Sequence, residues 1–372
     1  MNDPRIDRLA ETLVRYSAKV KSGDLVGIMG VPFSPEALPL MEAVFREVLR
    51  AGGHPYPYFQ ARYTEGLDRL LYTEGSDDQL QYVEPWADQM ARSLDCDIMI
   101  MAATNTRALS GVDSSRIALH SRARAALFNL YLKRAAEGTL RWVIAPMPTS
   151  AYAQDAEMSL SEFADFVFAG TYADRDDPIA VWQQISKNQA ELVKKLEGKD
   201  KITVQSPHVD LSFSIRGRTF VNCDGDRNMP DGEIFTSPVE DTVNGWMHSS
   251  FPAIYKGVDV GQVRLSFKNG RVVEAESEKN QSHLIEILGT DEGARRIGEF
   301  GIGTNDQINV FTKNMLFDEK IGGTIHLALG TSYPETGGVN QSGIHWDLLC
   351  DMREGGIITA DGKRVYDSGR FV

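Results

Sequence analysis

The chain has 372 residues, 42% of them apolar and 24% charged, and a formal net charge of −13. That composition belongs to a folded protein and excludes a disordered or fibrous one, while the length exceeds what one hydrophobic core usually organises, so two domains are expected. The acidic balance argues against nucleic acid or an anionic membrane as a partner, since both require clustered Lys and Arg, and favours a small or cationic ligand.

From Met1 the sequence runs into mixed polar and apolar residues without the apolar core of a signal peptide, and no stretch has the apolar length of a spanning helix. A cytoplasmic location is expected. Cys96, Cys223 and Cys350 are odd in number and lack CxxC spacing, which reads as free buried thiols rather than a disulfide framework or a cysteine zinc site.

The first elements alternate. Ile6, Leu9, Leu13 and Val20 recur near helical spacing, Gly23-Asp24 breaks the pattern, and the apolar run Leu25 to Met29 follows as a strand. A helix is expected from Pro35 to Ala51, then an edge strand in the proline-containing stretch His54 to Phe59. Strands at Asp97 to Ala102 and Arg141 to Ala145 flank a long helical segment, Ser114 to Ala135. Such alternation implies a mostly parallel sheet covered by helices. Gly27-Ile28-Met29-Gly30 lacks the third glycine of a dinucleotide fingerprint and the Lys-Ser/Thr ending of a P-loop, so it reads as a turn.

A helical pattern then runs from Ser159 to Leu196, after which strict alternation begins at Val209, Leu211, Phe213 and Ile215. Val263 to Phe267, Lys268-Asn269-Gly270 and Val272-Val273 spell a hairpin. The expected organisation is an N-terminal three-layer α/β domain with a mostly parallel sheet over 1–158, a helical connector over 159–198, and an α+β domain over 199–372 that carries the chemistry.

The candidates for chemistry lie in this last part. Glu233 follows a Pro-Asp-Gly turn; Glu299 follows an expected helix, Asp291 to Gly298, and precedes a glycine-rich run; His326 sits in the apolar run Thr324 to Gly330. Taken singly, each has a bland explanation: a solvated turn glutamate, the neighbour of a helix C-cap, a core histidine. His345 and Asp347 flank Trp346, and in an extended chain residues i and i+2 share a face, so imidazole and carboxylate point to one spot. That pair alone fits one iron ion or two hydrolytic metals equally. Two further carboxylates move the balance to a pair of divalent ions, because shared carboxylates bridge metals and neutralise their charge.

The runs Asn228 to Pro238 (NMPDGEIFTSP), GEFGIGTN around Glu299, HLALG from His326 and SGIHWDLLCD around His345 together resemble the leucyl-type metalloaminopeptidases that include aminopeptidases T and S. The resemblance spans nearly the whole chain. It implies that Glu233, Glu299, His326, His345 and Asp347 bind two catalytic divalent ions (zinc, cobalt or manganese), that Tyr333 matches an active-site tyrosine, and that the protein is a homodimer. The implied reaction is hydrolysis of the first peptide bond of peptides with a free N-terminus by a metal-held hydroxide, with Glu299 as proton carrier and Tyr333 as hydrogen-bond donor to the oxyanion. The segment between His326 and His345 is shorter than in the best-known members, which bears on substrate preference more than on the metal site. An alternative on a related fold is a mononuclear iron dioxygenase that opens dihydroxypyridine rings with His326, His345 and Asp347, and a non-catalytic binding protein is a third class.

Overall fold

Largely apolar runs of six residues form three of the four strands of the first sheet, as expected of parallel strands covered on both faces. The computed structural model describes residues 3–58, 65–255 and 257–372. In it, strands β1 (Leu25–Gly30), β2 (His54–Pro57), β3 (Cys96–Met101) and β4 (Arg141–Pro146) pair in parallel in the order β2-β1-β3-β4. The proline-containing β2 lies at the sheet edge, as expected; Phe59 is outside the described residues. Val26, Ile28, Ile98, Ile100 and Val143 are fully buried in this sheet. Gly27 is not in a turn but inside β1, where a Cβ would meet Asp97 Oδ1 at 2.8 Å.

Two expected helices are each interrupted. Ser114–Ala123 and Ala125–Ala136 meet at Arg124, whose guanidinium is drawn to the carbonyls of Leu80 and Tyr82 and the carboxylate of Glu84. The stretch from Ser159 to Leu196 forms Leu160–Gly170, opened by a Ser159/Glu162 capping box, and Pro178–Leu196. Between them Tyr172 takes a left-handed conformation (φ 56°), which no helix continues through.

By its internal packing the chain divides into one unit of Met1–Val181 with Gly225–Pro230, and another of Trp182–Asp224 with Asp231–Val372. The short return segment extends the first unit's sheet, with Asn228 bridged in parallel to Ile144 of β4.

The second unit is built from antiparallel sheets. Eight strands, β5 (Lys201–Ser206), β6 (Val209–Ser214), β9 (Asn244–His248), β12 (Val263–Lys268), β13 (Arg271–Ser277), β17 (Ile357–Ala360), β18 (Lys363–Asp367) and β19 (Arg370–Phe371), form one sheet in the order β13-β12-β9-β6-β5-β17-β18-β19. Five more, β7 (Val221–Cys223), β8 (Glu233–Thr236), β14 (Ile297–Gly303), β15 (Thr324–Gly330) and β16 (His345–Asp351), form a second in the order β16-β15-β14-β8-β7. A small hairpin, β10 (Ala253–Tyr255) with β11 (Val258–Gly261), completes it. The inward residues of the two large sheets share one core, marked by the edge-on pair Phe213 and Phe300 with ring centres 5.0 Å apart. The hairpin expected at Lys268-Asn269-Gly270 forms, with positive φ at both Asn269 and Gly270 as its tight turn requires.

One expectation in this unit fails. Asp291 to Gly298 is not a helix: only Gly293–Arg295 makes a single 3₁₀ turn, and the chain is already extended at Ile297. Asp291 spends its carboxylate on the amides of Ala294 and Gly343, while every residue from Ile297 to Gly303 is buried between β8 and β15, so sheet burial overrides any local helical tendency. The helix of this region lies earlier, at Gln281–Leu288.

Candidate metal centre

Strand periodicity assembles the site. Along β14, β15 and β16 alternate residues such as Phe300, Ile302, Leu327 and Trp346 enter the core, and the residues between them point the other way. That opposite face receives Glu233 from β8, Glu299 from β14, His326 from β15, and His345 and Asp347 from β16. Small residues keep it open: Gly301 pairs with His326, Ala328 stands between Glu299 and Asp347, and Gly330 pairs with His345. A Cβ on Gly301 would lie 2.1 Å from the His326 ring, so the imidazole occupies the space that this glycine leaves.

All five expected ligands come together. His326 Nε2 lies 3.2 Å from Glu233 Oε2 and 3.2 Å from Glu299 Oε1, and His345 Nε2 lies 3.5 Å from Glu299 Oε2 and 3.6 Å from Asp347 Oδ1. Glu299 therefore belongs to two adjoining groups, one oxygen turned to each. Within Glu233–Glu299–His326, within Glu299–His345–Asp347, and within a third group, Glu319–His326–Asp347, the donor atoms lie within 4.8 Å of one another. His345 Nδ1 donates a 3.2 Å hydrogen bond to the Thr331 carbonyl, which fixes the ring with Nε2 turned to the carboxylates.

The electrostatics follow from burial. Glu233, Glu299, His326 and Asp347 are at most 7% exposed. Burial pushes Glu233 up to about 8 and Asp347 to about 6. For His326 burial opposes the charge, but the Glu299 hydrogen bond and the negative charge of Glu233 and Asp347 win and raise it to about 10. His345 is also raised, the carboxylates of Asp347 and Glu299 outweighing its burial.

Tyr333 stands seven residues after His326, its ring 5.2 Å edge-on from His345 and 5.3 Å from Phe235. Tyr333 is 40% exposed, yet the partial desolvation of its phenol and the charges of Glu299 and Asp347 raise its pKa above the usual value, so it remains a proton donor.

Three residues escaped the sequence reading. Lys320 is fully buried, its Nζ 3.0 Å from Glu233 Oε1 and 3.9 Å from Asp231 Oδ1 and in contact with Glu319. Burial alone would depress its pKa, yet the surrounding carboxylates hold it well above normal, and Lys320 in turn keeps Glu319 low against the opposing effect of burial. Gln189, from the helix Pro178–Leu196, donates to the backbone carbonyls of Glu233 (2.5 Å) and Cys223 (3.1 Å) and so fixes the start of β8. In the sequence Asp318, Glu319 and Lys320 form a charged run between the apolar Phe317 and Ile321, with Glu319 and Lys320 seven and six residues ahead of His326.

These residues fit a divalent cation. Glu233 Oε2 and Asp347 Oδ1 are buried without a hydrogen-bond donor among the described residues, a costly arrangement for protein groups alone that coordination to an ion would relieve. Carboxylates with imidazole nitrogens suit hard to borderline divalent ions.

A carboxylate-rich centre with two imidazoles, carried on one face of an antiparallel sheet, defines a metal-dependent hydrolase. The chain belongs to the thermophilic metalloprotease family M29, which it matches over residues 2–371. It is 27% identical to "Aminopeptidase 2" of Geobacillus stearothermophilus, with 99% of this chain and 98% of that protein aligned, and 29% identical to "Aminopeptidase AmpS" of Bacillus subtilis over 73% and 75%. Its fold is that of wild-type AmpT from Thermus thermophilus, with a TM-score of 0.86, 23% identity and 99% of both chains covered. No helix among the described residues is long and apolar enough to cross a membrane.

Proposed function

We propose that this chain is a metal-dependent aminopeptidase that removes the N-terminal residue from peptides with a free α-amine. Glu233, Glu299, His326, His345 and Asp347 would hold two divalent ions, zinc, cobalt or manganese, with Glu299 shared between them. The observation that carries this reading is the pair of adjoining donor groups joined at Glu299. Charge supports the number of ions: once metal has displaced the protons of the site, the carboxylates of Asp231, Glu233, Glu299, Glu319 and Asp347 with the ammonium of Lys320 carry −4 beside neutral histidines, which two divalent cations would cancel. The relatives named as aminopeptidases support the reaction. An iron dioxygenase using His326, His345 and Asp347 has no use for the additional carboxylates, and family membership stands against it.

The bound ions supply Lewis acidity, acidifying a water and polarising the scissile carbonyl. The residues do the rest. Glu299 would hold the ions through one lone pair of each oxygen and keep a second lone pair with which it accepts the proton of the attacking water and returns it to the departing amine. Tyr333 donates a hydrogen bond from its protonated phenol to the carbonyl oxygen as negative charge develops there. A free α-amine has a lone pair that an ion held here could take, and an acylated nitrogen does not, so N-blocked chains are expected to be poor substrates. A cytoplasmic location and a homodimer belong to the same proposal; the homodimer rests on the family resemblance.

The test is reconstitution of chelator-treated protein with each metal, assayed on leucyl amide and on short peptides with free or acetylated N-termini. Metal-dependent release of leucine from free peptides alone is expected. Equal cleavage of acetylated peptides, or oxygen uptake with a dihydroxypyridine and ferrous iron, would refute it.

A further inference from the structure

Among the described residues, four donor groups of the second unit have the spacing to hold a cation, and one of them differs from the others. Cys223, Asp231 and Glu233 place a thiol and two carboxylates within 4.8 Å of one another, and this corner contains no imidazole. It does contain a cation of the protein's own, because the Lys320 ammonium lies 3.0 Å from Glu233 Oε1 and 3.9 Å from Asp231 Oδ1. Lys320 is 0% exposed. Burying an ammonium is expensive, and an apolar residue of similar volume often serves stability as well, so structure alone gives little reason to keep a lysine here.

We propose that Lys320 is a positioning residue that fills the Cys223–Asp231–Glu233 corner, limiting the centre to two divalent ions and excluding the Cys223 thiol from coordination. The inference rests on the metal-centre reading above. Lys320 engages one oxygen of Glu233, Oε1, and leaves the other, Oε2, 3.2 Å from His326 Nε2. Glu233 would thereby have a single oxygen, Oε2, left for an ion held with His326 and Glu299. Through its contact with Glu319 the same ammonium ties a second carboxylate of the cluster. An ammonium donates hydrogen bonds but presents no acceptor, so it satisfies carboxylates while repelling a neighbouring cation.

Cobalt binding tests this, since a thiolate ligand to Co²⁺ produces a near-ultraviolet charge-transfer band that oxygen and nitrogen ligands do not. Chelator-treated full-length protein is titrated with CoCl₂, and bound metal is counted after gel filtration. Wild type is expected to bind about two equivalents with no thiolate band, and Cys223→Ser to give the same count and spectrum. Lys320→Met is expected to take up about one more equivalent and show the band, which the double variant with Cys223→Ser loses. Wild-type count and spectrum in a folded Lys320→Met would overturn the proposal. Should Lys320→Met fail to fold, the wild type and Cys223→Ser decide: a thiolate band in wild type that Cys223→Ser abolishes overturns the proposal while leaving the metal centre intact. A wild type that binds no cobalt removes the metal-centre reading and this inference with it.

Discussion

Tyr333 meets the centre through the edge of a ring packed on His345 and Phe235, a geometry that places a proton donor beside the carboxylates without making it a charged partner. If its work is to stabilise a developing oxyanion, Tyr333→Phe should lower kcat by about 10²- to 10³-fold with little change in KM, because the contact strengthens only in the transition state. Steady-state kinetics on leucyl amide would check it, and an effect confined to KM would assign the tyrosine to substrate binding instead. A second buried acid lies in the first unit. Asp97 accepts hydrogen bonds from the hydroxyls of Tyr58 (3.0 Å) and Tyr131 (3.3 Å), yet burial dominates and pushes its pKa from 3.8 to about 6. Since the folded state holds this proton more tightly than the unfolded one, stability is greatest below the unfolded pKa and falls as pH rises from about 4 to about 6, by on the order of 3 kcal/mol. Asp97→Asn should abolish that component, and denaturant melts of both proteins across this range would reveal it.

At the scale of elements, the centre depends on alternation along three neighbouring strands and on what faces each ligand. Gly301 shows how strict this is. Its partner across the ladder is His326, and a methyl group in its place would sit 2.1 Å from the imidazole, so Gly301→Ala should force the ring aside at a cost of about 1–3 kcal/mol and greatly weaken metal binding. Metal titration of the variant by calorimetry is the check, and unchanged affinity would mean that the strand shifts to accommodate the methyl. The same strands explain what the sequence could announce. In β15 and β16 polar and apolar residues alternate with period two, so His326, His345 and Asp347 were legible as ligands on one face with Trp346 behind them. In β14 glycines occupy the site-facing positions other than Glu299 and send no periodic signal, and Asp291 ahead of them resembles a helix start, so the sequence points to Glu299 but not to its place in a strand. Glu319 and Lys320 were missed because the helix that delivers them, Met315–Asp318, spans four residues and has no periodicity to read. Its placement comes from Asp318, which accepts hydrogen bonds from the amide (2.7 Å) and hydroxyl (2.8 Å) of Thr312, a contact that no sequence spacing advertises. Breaks such as Arg124 and Tyr172 were invisible for a related reason, since local contacts and not composition create them.

For the whole molecule, metal binding and stability are one equilibrium. In chelator-treated protein, His326 is raised from 6.5 to about 10, Glu233 from 4.5 to about 8 and Asp347 from 3.8 to about 6. All three shifts have one sign: the folded state holds more protons than the unfolded state, so the contribution of these groups to stability falls as pH rises. For His326 that contribution is complete below about 6.5 and is lost toward about 10; Glu233 overlaps it between about 4.5 and 8. Metal ions compete for the same atoms and must displace these protons, so affinity should climb over the same window. The two slopes oppose each other. At an ion concentration a hundredfold above Kd, binding contributes about 2.7 kcal/mol, worth on the order of 5–10 °C in Tm for a unit of this size. The difference in Tm between metal-loaded and stripped protein should therefore be small near pH 5.5 and widen steadily to pH 9, by scanning calorimetry at constant metal excess. A difference that stays constant or narrows would mean that these protonated groups are not the ones the metal displaces.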